Sequence, residues 1–114
     1  MKDQKSFADR IYDSLRDVPA GKVTTYRDLA HSVGSRAYRA VGQVLRNNPY
    51  APEVPCHRVV SCDGKIGGFN GQTAGPAIGR KIALLGNEGI AVANGKIGDF
   101  DMVRFHFNKD YIVH

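Results

Sequence analysis

The sequence predicts a mainly α-helical domain with a few short β-strands. Three observations predict it. Apolar residues recur at helical spacing near the amino terminus and again after Ser35. A shorter helical segment precedes the second of these across a single glycine, Gly34. Extended signals are confined to short runs, none of them long enough to make a large sheet. A length of 114 residues suits one domain spanning 1–114.

In chain order, Phe7, Ile11, Leu15 and Val18 share a face, while Asp9, Arg10, Asp13, Arg16 and Asp17 fall mostly elsewhere. Residues 6–18 therefore read as an amphipathic helix, ended by Pro19-Ala20-Gly21. Val23-Thr24 is short and extended. Thr25, with Asp28 three residues on, has the form of a capping box. The helix it opens carries Leu29, Ala30 and Val33 and stops at Gly34. Ser35 then caps a helix over 36–47. Its apolar stripe is Ala37, Ala40, Val41, Val44 and Leu45, and its outer face carries Arg36, Arg39, Gln43, Arg46 and Asn47. Two short helices about a tight glycine turn, the second with a basic face, make either a DNA-binding helix-turn-helix (about 25–47) or an ordinary helical hairpin.

Asn48-Pro49 breaks that helix, and residues 50–55 form a stiff, proline-rich connector. Val59-Val60 reads as a short buried strand. Gly64 to Gly71 is a glycine-rich loop without the Gly-Lys-Ser/Thr ending of a phosphate-binding loop. Gly75-Pro76 signals a further turn. Ala77 to Leu85 reads as helix in spite of Gly79, ended by Asn87-Glu88-Gly89. Ile90-Ala91-Val92 and Met102 to Phe107 read as β-like, with Asn94-Gly95 as the turn between them.

Composition narrows the function. Hydrophobic residues make up 42% of the chain, enough for a core and too many for a disordered segment. Two cysteines, Cys56 and Cys62, are too few for a disulfide framework, and no Cys/His set has zinc spacing; His31, His106 and His114 form no metal set with Cys56. Both thiols are therefore expected to be reduced. Met1 to Lys5 lacks the apolar core of a secretory signal, and no apolar run approaches the roughly 18 residues of a membrane span. The expectation is a cytoplasmic protein, on the nucleoid if prokaryotic. Of the net charge of +5, +4 lies in residues 21–60, where six cations (Lys22, Arg27, Arg36, Arg39, Arg46, Arg58) face two carboxylates (Asp28, Glu53). A concentrated basic segment suits an anionic partner, nucleic acid first and an acidic membrane second, although a solvated basic face has the same composition.

That basic segment leads into Pro55-Cys56-His57-Arg58-Val59-Val60. The thiolate is the nucleophilic form of cysteine, and an adjacent base or cation favours it. His57 can serve as that base and Arg58 adds positive potential. Alone, a Cys-His neighbour pair is a weak signal.

With those residues quoted, the chain resembles the active-site domain of the O6-alkylguanine-DNA alkyltransferases. The resemblance covers roughly residues 7–90. Gly21-Lys22-Val23-Thr24-Thr25-Tyr26 resembles the family's entry to its helix-turn-helix. Arg39-Ala40-Val41-Gly42 followed by Arg46-Asn47-Asn48-Pro49 resembles its recognition helix and the asparagine hinge after it. Gly67-Gly68-Phe69 resembles its glycine-aromatic loop, and Leu84 to Gly89 the segment that supplies its buried glutamate. The resemblance implies a winged-helix-like core and single-turnover transfer of an alkyl group from O6-alkylguanine, less well from O4-alkylthymine, to Cys56. It implies His57 as a base acting through water, Glu88 as its orienting carboxylate, and Asn48 as the residue holding the active-site turn. Tyr26 would press on the phosphate of the target nucleotide, and Arg39 would fill the gap left by the extruded base. Pro55, Val59, Phe69 and Asn70 would line the pocket with Tyr26. Arg36, Ala37, Tyr38, Gln43 and Arg46 would face DNA in the minor groove, with Lys22 and Arg27 on phosphates. Tyr38 stands where the family has a small residue, and Asn70 where it has a small hydroxyl. The resemblance implies no metal or organic cofactor and a monomer bound to double-stranded DNA. Two other readings carry over. One is an alkyltransferase-like protein that binds the lesion and flags it for excision; such proteins lack the cysteine present here as Cys56. The other is a thiol hydrolase using Cys56, His57 and Glu88.

Overall fold

A computed structural model describes residues 5–69 and 74–107. Five helices and four two-residue strands follow one another among these residues. Helix α1 spans Phe7–Arg16, and Ser6 caps it by accepting from the Asp9 amide. It buries Ile11, Tyr12 and Leu15, the face that the helical spacing marks out. Strand β1 is Thr24–Thr25. Thr25 then caps α2, Tyr26–Ser32, by accepting from the Asp28 amide at 3.0 Å.

Gly34 makes the turn, with φ at +75° in the left-handed region that glycine enters without a steric penalty. Helix α3 spans Tyr38–Arg46, two residues shorter at its start than the spacing suggested. Ser35 does not cap it; its hydroxyl accepts from the Ala37 amide at 3.0 Å, in a local turn that delays the helix. Ala37 is consequently exposed, and the buried stripe of α3 reduces to Val41 and Leu45, flanked by half-buried Ala40 and Val44. Helices α1, α2 and α3 pack on one core of Ile11, Leu15, Val18, Leu29, Ala30, Val41, Leu45, Val54 and Val59. The α2–turn–α3 pair is thus a helix-turn-helix whose inner face is held by α1.

Strand β2, Val59–Val60, pairs parallel with β1, Thr24 opposite Val59. This pairing joins the chain after Cys56 to the entry of the helix-turn-helix. Helix α4 spans Pro76–Asn87, with Gly75 at its N-cap and Pro76 in its first turn, so the turn signal there is a helix start.

The tail departs from the sequence expectation. Asn94-Gly95 does form a turn, both residues having positive φ, but it joins β3 (Val92–Ala93) to β4 (Lys96–Ile97). Met102 and Val103 lie in a short helix, α5 (Phe100–Val103), rather than in a strand. Only beyond α5 does the chain extend: Arg104 bridges Val23, and the Phe105 amide donates to the Val23 carbonyl at 2.7 Å. The reason is tertiary. Arg104 is drawn to Asp28, which accepts from its Nε at 2.8 Å and its Nη2 at 2.9 Å. The Asp28 carboxylate thus turns to the tail with both oxygens.

That ion pair is a quarter exposed or less on each side, so it is worth about 1 kcal/mol. Arg104→Ala is expected to lower the unfolding free energy by that amount, and Tm by about 4–8 °C. A urea titration checks it, and an unchanged midpoint would show that the tail is not docked through this pair.

Candidate active site

Cys56, His57 and Arg58 occupy a single 3-10 turn between the proline-rich connector and β2. The connector delivers them. Asn48 holds its two ends, donating from Nδ2 to the Val54 carbonyl at 2.9 Å while its Oδ1 accepts from the Tyr50 amide at 2.9 Å. The Cys56 amide donates to Val54 and the Arg58 amide to Pro55, both at 2.9 Å. Cys56 is 9% exposed and His57 5%.

Glu88, at the C-cap of α4, closes the site from the other side of the chain. Its Oε2 lies 2.9 Å from His57 Nε2 and accepts from Arg58 Nη2 at 2.7 Å, while Oε1 accepts from Arg58 Nε at 2.9 Å. Arg58 Nη1 donates to the Val18 carbonyl at 2.7 Å. Burial pushes the Glu88 carboxyl up, but the hydrogen bonds and charges of Arg58 and His57 outweigh it and hold the group below the usual carboxylate range. An ionised carboxylate only accepts, so His57 Nε2 carries the proton. In the neutral ring Nδ1 is then the free lone pair, the arrangement a general base requires.

Tyr26, the first residue of α2, packs against the same core cluster that holds Cys56. Its hydroxyl donates to the Gly68 carbonyl at 3.4 Å. Burial, then the charge of Cys56, push its phenol pKa up, while the Gly68 contact acts against them. The glycine loop can pass this close only because of Gly67. Its φ is +70°, and a Cβ there would stand 3.4 Å from Cε2 of Tyr26 and 3.3 Å from Oγ of Ser61. Phe69 and Val59 are buried in the same cluster as Cys56, and Pro55 is buried beside it. The pocket residues named from the sequence thus converge, except Asn70, which lies outside the described residues.

The other set is spread over the outer surface of the helix-turn-helix. Arg39, Gln43 and Arg46 are exposed at i, i+4 and i+7 of α3, one stripe opposite the buried Val41 and Leu45. Arg36 and Ala37 are exposed just ahead of the helix. Tyr38 opens α3, and its hydroxyl sits 2.8 Å from His31 Nε2, the two rings meeting edge to face.

Sequence reasoning missed two features. Arg58, read only as positive potential, is the residue that fixes Glu88. Lys81 was not singled out at all, yet it is fully buried behind the pocket loop. A signal existed: Ala77, Lys81 and Leu85 fall at i, i+4 and i+8, so the lysine lies in the buried stripe of α4. Among the described residues no group of three or more His, Cys, Asp and Glu side chains could hold a metal ion. No helix among them is long and apolar enough to cross a membrane.

Comparison with known proteins agrees with this geometry. A family model described as "6-O-methylguanine DNA methyltransferase, DNA binding domain" matches residues 6–90. The chain belongs to that family. A bifunctional methyltransferase/endonuclease of Picrophilus torridus is 39% identical over 100 residues, 87% of this chain but 31% of that protein. The chain thus spans about a third of the length of the first curated relatives it matches. The DNA base-flipping protein of Escherichia coli is 37% identical over 109 residues, 95% of this chain and 79% of that one. Among solved structures, S. pombe Atl1 in complex with damaged DNA containing O6-carboxymethylguanine superposes with a TM-score of 0.74 at 26% identity, covering 93% of this chain and 100% of that one. The family's mainly helical fold is the one described above.

Glu88→Gln keeps the shape of this site and removes its charge. The variant is expected to lose about 1–3 kcal/mol of stability at pH 7. Glu88 has a lower native than unfolded pKa. Its contribution is therefore present above the unfolded value of about 4.3 and lost as the pH falls through the native value. The difference between the two proteins in chemical denaturation should shrink below about pH 4.

Proposed function

We propose that this chain repairs alkylated DNA by moving an alkyl group from O6 of guanine to Cys56. The observation that carries the proposal is the turn of Cys56, His57 and Arg58, buried around the carboxylate of Glu88 and next to Tyr26. The family membership supports it.

The chemistry follows from the geometry. The alkyl carbon of O6-alkylguanine is out of reach of a protein thiol inside a duplex, so the nucleotide must leave the stack at a cost of a few kcal/mol. Arg39, on the exposed stripe of α3, is suited to fill the vacancy. Arg36, Tyr38, Gln43 and Arg46 would line the minor groove around it, and Lys22 and Arg27 would take phosphates, giving affinity without sequence preference. Tyr26 would press on the phosphate of the turning nucleotide. The extruded base would lie against Pro55, Val59 and Phe69, with Asn70 beyond them.

His57 Nδ1 then accepts the Cys56 proton, through a water held near Asn48, while Glu88, held in place by Arg58, stabilises the imidazolium. The Cys56 sulfur attacks the alkyl carbon in line. The S–C bond forms as the C–O6 bond breaks, and guanine leaves with the electron pair and takes up a proton on its ring. The thioether has no route back to the thiol, so each molecule reacts once. Holding both reactants in place makes the step effectively unimolecular. The residues named need no metal or organic cofactor for this chemistry.

A second reading has its own support. The coverage of all of S. pombe Atl1 and of 79% of the E. coli base-flipping protein favours a protein that binds and exposes the lesion without repairing it. The thiol of Cys56 favours transfer.

Incubation with duplex DNA carrying O6-methylguanine, followed by intact mass, separates the two. Transfer predicts one methyl increment per chain, located on Cys56 and lost in Cys56→Ser. Tight binding with an unmodified Cys56 would leave only the lesion-binding reading. Arg39→Ala is expected to slow transfer by about tenfold or more while leaving binding to undamaged duplex nearly as salt-dependent, since one cation of several is removed. Stopped-time mass measurements and a salt titration of binding check the two parts.

A further inference from the structure

Two exposed lysines stand side by side where the tail meets the glycine loop. Lys65 forms an antiparallel bridge with Lys96, the first residue of β4. The flanking hydrogen bonds fix the kind of pair. The Ile66 amide donates to the Gly95 carbonyl at 2.8 Å, and the Ile97 amide to the Gly64 carbonyl at 2.9 Å. Lys65 and Lys96 are therefore a non-hydrogen-bonded pair, the arrangement that brings facing residues closest, with Cα atoms about 4.5 Å apart. Residues directly opposite leave the same face of the ladder, and their successors leave the other. Those successors point inward: Ile97 is buried and Ile66 packs against the same cluster. The two lysines point outward together, and both are exposed.

Like charges opposed in this way are destabilising. One carboxylate relieves them weakly. Asp63 lies 3.8 Å from Lys65 Nζ, with both side chains more than half exposed. Its Oδ1 also accepts from the Lys65 amide at 3.1 Å. Among the described residues no carboxylate lies within ion-pair reach of Lys96. Folding alone gives no reason for two ammoniums here, whereas an anion shared between them does.

The glycine loop indicates which anion. Lys65 lies two residues before Gly67, where a Cβ would stand 3.4 Å from Cε2 of Tyr26. It lies three before Gly68, whose carbonyl receives the Tyr26 hydroxyl at 3.4 Å. Three residues of chain span at most about 10 Å. Successive phosphates of one DNA strand advance about 3.4 Å along the helix axis. A phosphate beside Tyr26 therefore has neighbours on its strand within reach of this pair.

We propose that Lys65 and Lys96 form a second contact to the DNA backbone, apart from the exposed stripe of α3, and hold a phosphate of the strand that carries the target nucleotide. The proposal rests on Tyr26 facing that nucleotide, as set out above, and it needs no alkyl transfer.

Fluorescence anisotropy of a labelled, undamaged duplex, titrated with the full chain over a range of salt concentrations, tests it. Each phosphate contact contributes about 0.9 to the slope of log Kobs against log salt concentration. Lys65→Gln and Lys96→Gln should each flatten that slope by about 1, and the double variant by about 2. Both side chains are exposed, so these changes leave the core untouched. Lys5→Gln is the control. It removes the same charge from beside Asp13 of α1, the helix behind the helix-turn-helix, and should leave the slope unchanged. An unmoved slope in the double variant overturns the proposal, and is also the result expected if the pair serves some other polyanion. An equal flattening by Lys5→Gln overturns it too, since that is a general effect of net charge. A slope flattened by the lysine variants alone, in a chain that transfers no methyl group, would uphold the pair and sink the alkyl-transfer reading.

Discussion

One half-buried carboxylate, Glu88, ties this molecule together. Glu88 receives His57 on one oxygen and Arg58 on both, while Arg58 reaches on to the carbonyl of Val18 at the end of α1. Three distant stretches of chain meet there: the loop after α1, the turn of Cys56, and the end of α4. The charges justify one another. A half-buried carboxylate and a half-buried guanidinium would each be costly alone; paired, each satisfies the lone pairs or protons of the other. The arrangement also removes ambiguity from the imidazole, because the side facing Glu88 must carry the proton.

A second constraint comes from the short parallel pairing of β1 with β2. It sets the start of the helix-turn-helix directly beside the chain that leaves Cys56. Tyr26 begins α2 immediately after β1, so its ring packs against the core cluster that holds Cys56, and the glycine at 67 lets the glycine loop close against it. The exposed cations of α3 project from the same three-helix core that buries Cys56. The Cys56 turn and the basic surface are therefore fixed to one rigid support, as the proposed exchange of a bond on an extruded nucleotide would require.

The tail, for which the sequence offers no task, acts as a brace. The β3–β4 hairpin bonds to the pocket loop through Ile66 and Gly95 and through Gly64 and Ile97. The chain after α5 bonds to Val23 and, through Arg104, to Asp28 at the start of α2. Loop and helix are thus held by consecutive pieces of the same segment, so their spacing does not depend on the loop alone.

Much of this was legible in residue order. The spacing of Phe7, Ile11 and Leu15 determined which side of α1 is buried, and Thr25 and Gly34 bounded α2, because caps and periodicity are local physics. The motif around Cys56, the asparagine at 48 and the glycine-aromatic loop together identified the family. What residue order could not decide were the long-range partners. Ser35 has the chemistry of a cap but bonds within its own turn; Met102 and Val103 lie in α5, just ahead of the Arg104 that Asp28 holds. Above all, Lys81 reads as an ordinary helical lysine until three carbonyls from two other segments are seen to converge on it. Those outcomes depend on which groups lie nearby after burial, where an unpaired charge or carbonyl is most expensive, and only the tertiary structure brings such groups within reach.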